Sequence, residues 1–145
     1  CEQHACVSWL LSSGARRDAV DGRGAGPLMI AAAAGRWDAF GVLLPLDDEG
    51  RLDAGRPELH ATDSTGRSLL HAAAYGGSRR MLQLLADAAF DPAAVLPSND
   101  GRTCLHYAAA GAGSRGACEL LLAAGCRADQ PDSFGLLPWH LAAQQ

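Results

Sequence analysis

The sequence predicts an all-α repeat solenoid of stacked helix–turn–helix units joined by short hairpin or loop fingers. One phrase recurs four times: DGRGAGPLMIAAAAG at 21–35, DSTGRSLLHAAAYGG at 63–77, NDGRTCLHYAAAGAG at 99–113 and DSFGLLPWHLAA at 132–143. A recurrence of a few tens of residues indicates an array of supersecondary units. Alanine dominates the apolar residues and aromatics make up only 6% of the chain, which favours thin, closely packed helices.

Each phrase begins with a turn and continues into a short first helix. The glycine that ends the turn allows a positive φ, as tight turns require. A helix N-cap is then expected, and Ser68 and Thr103 are good capping residues, whereas Gly26 and Leu137 hold the same slot in the other copies. Pro27 and Pro138 follow at the first helical position, where the missing N–H of proline is tolerated.

A leucine-rich second helix is predicted after each complete phrase. The segments are WDAFGVLL at 37–44, RRMLQLL at 79–85 and GACELLLAAG at 116–125, with leucines at i, i+3 and i+4 spacing. CVSWLLSSGARRDAV at 6–20 matches the end of such a unit, and Gly14 and Gly125 stand at expected helix C-caps. Trp9, Trp37 and Trp139 fall where we expect packing against neighbouring repeats.

These phrases resemble the ankyrin repeat, D-x-x-G-x-T-P-L-H-x-A-A-x-x-G followed by a leucine-rich helix. The resemblance implies one ankyrin-repeat solenoid over 1–145 with β-hairpin or loop fingers. Its predicted parts are a partial repeat at 1–20 (second helix), repeats at 21–62, 63–98 and 99–131, and a partial repeat at 132–145 (first helix). Because both ends cut through repeats, we expect the chain to belong to a longer protein.

Two departures from the family pattern concern the segments after second helices. An acidic insertion at about 45–61, rich in proline and glycine, lengthens the first repeat, and its composition predicts a disordered excursion. Ala89 stands where the family usually has a glycine C-cap.

Cys104 and His106 are the most reactive-looking neighbours in the chain. Residues two apart on a helix point in different directions, so the two side chains are not expected to converge. His71, His106 and His140 recur in register, as expected of a residue that serves stacking. The resemblance implies that this histidine bonds the Ser or Thr cap and the backbone of an adjacent loop. We therefore predict no catalytic residues, no enzyme activity and no cofactor.

A metal or redox site is the alternative to a binding module within this segment, and its candidate residues are Cys1, His4 and Cys6. Zinc requires a further ligand and a closed turn, and this segment is expected to be helical, so we predict no metal site. The net charge of −4 and the scattered arginines argue against nucleic acid. No apolar run is long enough to cross a bilayer, and the odd cysteine count favours reduced thiols in an intracellular protein. We expect the cytoplasm rather than the nucleus.

The family resemblance implies a non-catalytic module that binds a partner protein or peptide through finger tips and the concave face of the first helices. Its variable positions, carried onto this sequence, give Arg23, Ser64, Thr65, Arg67, Tyr75, Asn99, Asp100, Arg102 and Phe134. Arg67 and Arg102 share one slot in consecutive fingers and are predicted to form a short cationic row. Tyr75 and Phe134 are aromatics of the kind enriched at binding hot spots.

These positions predict a partner segment with an acidic group near the arginines and an apolar anchor near Tyr75. The module is expected to be a monomer. The alternative function is a substrate-recruiting domain of a multidomain enzyme, such as a ubiquitin ligase or a palmitoyl transferase. Sequence on either side of 1–145 distinguishes the two, because a zinc-binding cysteine and histidine cluster or a membrane span would indicate the enzyme.

Overall fold

The structure is a computed structural model that describes residues 2–44, 48–49, 51–53, 55–88, 91–111 and 115–144. Helices account for its regular structure throughout these ranges. They are α1 (Glu2–Ser12), α2 (Pro27–Ala33), α3 (Trp37–Leu43), α4 (Pro57–His60), α5 (Leu69–Tyr75), α6 (Arg79–Asp87), α7 (Cys104–Ala110), α8 (Arg115–Ala123) and α9 (Pro138–Ala142). Within the described ranges, the fingers carry no strand, and one isolated antiparallel bridge joins Thr62 to Ser68.

The helices stack in two rows, as predicted for an all-α solenoid. The first helices α2, α5, α7 and α9 pack on one another in succession. The second helices α3, α6 and α8 each pack on the first helix of their own repeat. Small residues let the first helices approach closely: Ala32, Ala73 and Ala108 are completely buried. Larger side chains from both rows fill the core, among them Leu69 and Leu70 of α5, Leu85 of α6 and Leu121 of α8.

Helix starts and ends follow the residues that the sequence singled out. Gly26, Ser68, Thr103 and Leu137 are the N-caps of the first helices, with Pro27 and Pro138 directly after two of them. Gly14 and Gly125 follow second helices with φ of 93° and 91°, a left-handed conformation that glycine adopts without strain. The local sequence therefore determines where each of these helices lies.

The insertion differs from the expected excursion. Leu59 of α4 is only 2% exposed and belongs to the main apolar core, and Leu52 packs against the same core. Because burying a leucine side chain gains roughly 1.5–3 kcal/mol, these two contacts anchor the described part of the insertion to the repeats. Ala89 lies outside the described residues.

Two of the three tryptophans contradict the prediction of core packing. Trp9 is 66% exposed and Trp139 is 59% exposed. Trp139 holds the slot of Leu28, Leu70 and Leu105, which are all buried. Among the described helices, none packs on α9 as a second helix, which leaves its tryptophan open to solvent. Trp37 alone is partly buried, with its ring against Arg80.

Candidate binding surface

The four fingers share one backbone conformation. Their turn glycines, at 24, 66, 101 and 135, have φ between 73° and 78°. In each finger the glycine N–H donates to the carbonyl three residues earlier, over 2.8–3.0 Å. The first residue of each finger also donates its N–H to the carbonyl four residues later, again over 2.8–3.0 Å. Each finger is thus a tight turn closed by two backbone hydrogen bonds.

Backbone hydrogen bonds also join each finger to the next. Ser64 N donates to Arg23 O over 2.7 Å, Asn99 N to Thr65 O over 2.9 Å, and Ser133 N to Asp100 O over 2.8 Å. In addition, Asn99 Nδ2 donates to Ser64 O over 3.2 Å. Because the third residue of one finger always accepts from the second residue of the following one, the fingers form a continuous bonded row.

The third residue of each finger carries an exposed side chain. We call these four residues the tip row: Arg23, Thr65, Asp100 and Phe134. Phe134 is the large apolar member of the tip row, with 71% of its surface exposed. A fixed backbone therefore presents a cation, a hydroxyl, a carboxylate and an aromatic ring at regular spacing, four groups that differ in the ligand chemistry they recognise.

Arg67 does not stand free in the predicted cationic row. Its Nε donates to Oδ2 of Asp63 over 2.7 Å, and Nη2 lies 2.6 Å from the same oxygen. Thr65 donates its hydroxyl to Oδ1 of Asp63, and the backbone N–H groups of Thr65 and Arg67 donate there too. Burial alone would raise the pKa of Asp63, but the hydrogen bonds from Thr65 and Arg67 outweigh it and lower the pKa.

Arg102 is also paired, but with the next finger. Its Nε donates to Oδ2 of Asp132 over 3.1 Å. The reason is local: Ser98 replaces the aspartate in Arg102's own finger and accepts from Tyr107 Oη over 3.2 Å instead. About a third of each arginine side chain stays exposed, 32% for Arg67 and 28% for Arg102, while both carboxylates are buried. The Arg67–Asp63 ion pair therefore stabilises one finger, and the Arg102–Asp132 ion pair joins two consecutive fingers.

Asp63 and Asp132 are the residues that sequence reasoning missed. The signal for Asp63 was present, because it lies four residues before Arg67 in the chain. The partner of Arg102 lies 30 residues away, so only the stacking of the fingers brings it close.

Replacing Arg67 with alanine is expected to lower the free energy of unfolding by about 1–3 kcal/mol, because the buried carboxylate of Asp63 loses a charged partner. Urea denaturation followed by circular dichroism measures the change. Arg23→Ala is the matched control, an exposed arginine of the neighbouring finger, and should change stability by less than about 0.5 kcal/mol. Equal effects of the two substitutions would contradict the bridging role.

Tyr75 lies at the end of the first helix α5 and is 44% exposed. Small residues surround its position in the row of first helices: Ala33 and Ala34 at the end of α2, and Ala110 and Gly111 at the end of α7. The ring therefore projects from a row whose other members are small, which leaves room for another chain beside it.

Comparison with protein-family models decides the family. A model described as ankyrin repeats (3 copies) matches residues 51–132, more than half of the chain. The chain belongs to the ankyrin-repeat family. A search of curated proteins found no match. Ankyrin repeats are generally protein–protein interaction modules, and the fold is typically non-catalytic. Across the described residues, no helix combines the length and apolarity that crossing a membrane requires.

The recurring histidines act as ankyrin capping residues. Nδ1 of His106 accepts from the backbone N–H of Thr103 over 3.2 Å and lies 3.0 Å from the threonine Oγ1. Nε2 then carries the proton and donates to the carbonyl of Leu136 in the next finger over 3.0 Å. Both ring nitrogens of His106 are thereby engaged within the fold, as the resemblance implied. His71 makes the same contact to Ser68 through Nδ1, but its Nε2 has no hydrogen-bond partner among the described residues.

Cys104 is an unsuitable nucleophile. Only 2% of the residue is exposed, and burial raises the pKa of its thiol to about 12. The thiol thus stays protonated near neutral pH.

The metal candidate falls largely outside what the structure describes. Cys1 lies beyond the described residues, and so does the side chain of His4. Cys6 is exposed and, like Cys104, Cys118 and Cys126, not part of a disulfide.

Proposed function

We propose that this protein is a non-catalytic interaction module that binds a partner protein or peptide through the tip row and Tyr75. The observation that carries the proposal is the bonded row of fingers, which holds four chemically different exposed side chains at fixed spacing. A rigid surface loses little conformational entropy on binding. Phe134 and Tyr75 then supply the aromatic area that binding hot spots favour.

The acidic group of the partner is assigned to Arg23 first. Among the described residues, no carboxylate forms an ion pair with this exposed arginine. Arg67 and Arg102 offer the partner only the exposed third of their side chains, because their charges are neutralised by Asp63 and Asp132. Ser64 and Asn99 add hydrogen-bonding groups between the tips, and the apolar anchor of the partner lies against Tyr75.

The proposal includes the wider setting. The module is a monomer in a larger intracellular protein, divided into repeats at 21–62, 63–98 and 99–131 with partial repeats at either side. Free thiols at Cys6, Cys104, Cys118 and Cys126 support a reducing compartment, since secreted proteins tend to pair their cysteines.

The proposed surface is tested by an Arg23→Ala/Tyr75→Ala/Phe134→Ala variant. Immobilised wild type and variant are incubated with a lysate of the source organism, and captured proteins are compared by quantitative mass spectrometry. A protein captured by the wild type should fall at least about tenfold with the variant, because truncating hot-spot residues costs more than about 1.4 kcal/mol in total.

Leu122→Ala is the matched control, because Leu122 is 48% exposed, close to the value for Tyr75, but lies on the second helix α8. It should leave capture unchanged. Arg67 and Arg102 are left intact so that the fold is preserved, and circular dichroism confirms this for each variant. Undiminished capture by the triple variant, or no capture by the wild type, would refute the proposed surface.

A further inference from the structure

The second helices are not evenly spaced. α1 packs on α3 and α6 packs on α8, but no comparable packing joins α3 to α6. The insertion enters the chain between these two helices, after α3 and before α5. An ankyrin stack of regular period would bring α3 and α6 together, so the separation is a feature of this chain and not of the repeat.

A groove of about 980 Å³ occupies the space between α3 and α6. Each of three elements supplies part of the wall: Trp37 from α3, Arg51 and Leu52 from the insertion, and Arg79, Arg80, Leu84 and Asp87 from α6. Asp87 lies at the last position of α6 and accepts a hydrogen bond from Gln83. Leu52 is partly buried against the core, which fixes the insertion side of the groove. The groove is thus built on packed elements, with an apolar floor and charged edges.

Two adjacent arginines dominate one end of the groove. The guanidinium of Arg80 lies 4.0 Å from the centroid of the Trp37 ring, a cation–π contact that spans the gap. Arg79 is exposed beside it. In the part of the chain that the structure describes, neither has a carboxylate within ion-pair distance, whereas Arg51 is paired with Glu49 over 3.0 Å.

The two arginines lie where the helix dipole disfavours a positive charge. They begin α6, and cations at a helix N-terminus are disfavoured by the helix dipole. At the start of α6, the charges of Arg79 and Arg80 and the apolar floor complement a ligand that is both acidic and apolar, whereas Asp87 at the other end of the helix repels an acidic group.

We propose that this groove binds an extended acidic segment of a partner protein. A carboxylate side chain of the segment pairs with Arg79 and Arg80, and an apolar side chain packs on Leu52 and Leu84. Arg80 and Leu84 are one helical turn apart, roughly 6 Å along α6. Since an extended chain rises roughly 3.3 Å per residue, the acidic and the apolar residue of the segment are separated by one residue.

This groove is distinct from the proposed binding surface, because it lies on second helices whereas the tip row and Tyr75 lie on fingers and a first helix. Either proposal can fail without the other. A purely apolar segment, a basic segment and a second copy of this chain are the competing occupants.

A random 12-residue peptide library displayed on phage tests the proposal without assuming a ligand. The whole protein is immobilised, and the selected peptides are synthesised and measured by fluorescence anisotropy. The expected peptides carry Asp or Glu two positions from Leu, Ile, Met or Phe. Their affinity should fall at least about tenfold for an Arg79→Glu/Arg80→Glu variant, as expected when a charge pair becomes a repulsion.

Arg115→Glu is the matched control, because Arg115 is an exposed arginine that begins α8 as Arg79 begins α6. It and the Arg23→Ala/Tyr75→Ala/Phe134→Ala variant should leave the affinity unchanged. Thermal denaturation verifies that each variant is folded. Three results would overturn the proposal: selected peptides without acidic residues, affinity that survives the Arg79→Glu/Arg80→Glu change, or no enriched sequence. Concentration-dependent dimers that the Arg79→Glu/Arg80→Glu change abolishes would also overturn it, because they would assign the groove to a second copy of this chain.

Discussion

Replacing Gly76 with alanine should lower the free energy of unfolding by about 3 kcal/mol, because the added methyl group would overlap backbone that cannot move aside. A Cβ at this position would meet the carbonyl oxygen of Ala32 and lie 2.9 Å from Gly35 N. The backbone φ of Gly76 is −67°, which any residue adopts, so the whole effect is steric. α5 could accept the methyl group only by moving away from α2.

The same reasoning applies to Gly111, five residues after His106 as Gly76 is five residues after His71. A Cβ there would meet the carbonyl oxygen of Tyr75. The equivalent residue of α2 is Ala34, which no described first helix approaches from that side. The repeated glycine thus sets the spacing between successive first helices.

Gly41→Ala is the matched control, because Gly41 lies within α3 and an added Cβ would meet nothing within 4 Å. It should raise the free energy of unfolding by about 0.5–1 kcal/mol through helix propensity and unfolded-state entropy. Urea denaturation at pH 7 measures both variants. Similar, small effects of the two substitutions would show that α2 and α5 are not as closely packed as the structure indicates.

Lowering the pH from 6.5 to about 4 should destabilise the protein on the order of 3 kcal/mol through His71 alone. Burial lowers the pKa of His71 to about 4 and outweighs the opposing effects of the Arg102 carbonyl and Asp63. Its Nε2 has no hydrogen-bond partner within normal geometry, although the Arg102 carbonyl faces it as Leu136 faces His106. Because Nδ1 accepts from the Ser68 N–H, neutral His71 already carries its proton on Nε2. Acid would add a proton to Nδ1, which would break this capping contact and bury an imidazolium with little compensation.

The sign follows from proton linkage. Between pH 6.5 and 4 the unfolded chain binds a proton at His71 and the folded chain does not, so stability falls as the pH falls. Burial also lowers the pKa of His106, which adds a change of the same sign. Asp63 and Asp132 have lowered pKa values, so their contribution is lost only below about pH 3.8, in a separate window.

Urea denaturation at pH 7.0, 6.0, 5.0 and 4.5 measures this dependence for the wild type and a His71→Gln variant. The variant should be less stable at pH 7, because the capping contact to Ser68 is weakened, and should lose less stability on acidification. Parallel pH profiles for the two proteins, or a wild type that gains stability at pH 5, would contradict a buried neutral His71.

Local chemistry explains why much of the fold was predictable. Glycines with positive φ, prolines at first helical positions and capping residues act within a few residues of chain, and Gly125, Pro138 and Thr103 perform the roles that the sequence predicts. The histidine contact to Leu136 was available only through the family resemblance, since it joins one repeat to the next.

The features that sequence reasoning missed depend on contacts between distant segments. Arg102 pairs with Asp132 because Ser98 replaces the aspartate of its own finger. This pairing depends on how the fingers stack, which the local sequence does not specify. The insertion was predicted from its polar composition, but two leucines, Leu52 and Leu59, attach it to the core. The exposure of Trp139 likewise reflects which helices surround it, and no local pattern encodes that.

Site-specific photocrosslinking tests the central claim, that partners bind the finger side of the protein. Benzoylphenylalanine replaces Tyr75 or Phe134 in two samples and Leu122 in a third, and each is irradiated in a lysate of the source organism. The account predicts a common crosslinked protein from positions 75 and 134 that position 122 does not yield. A partner crosslinked only from position 122, or none from positions 75 and 134, would contradict it.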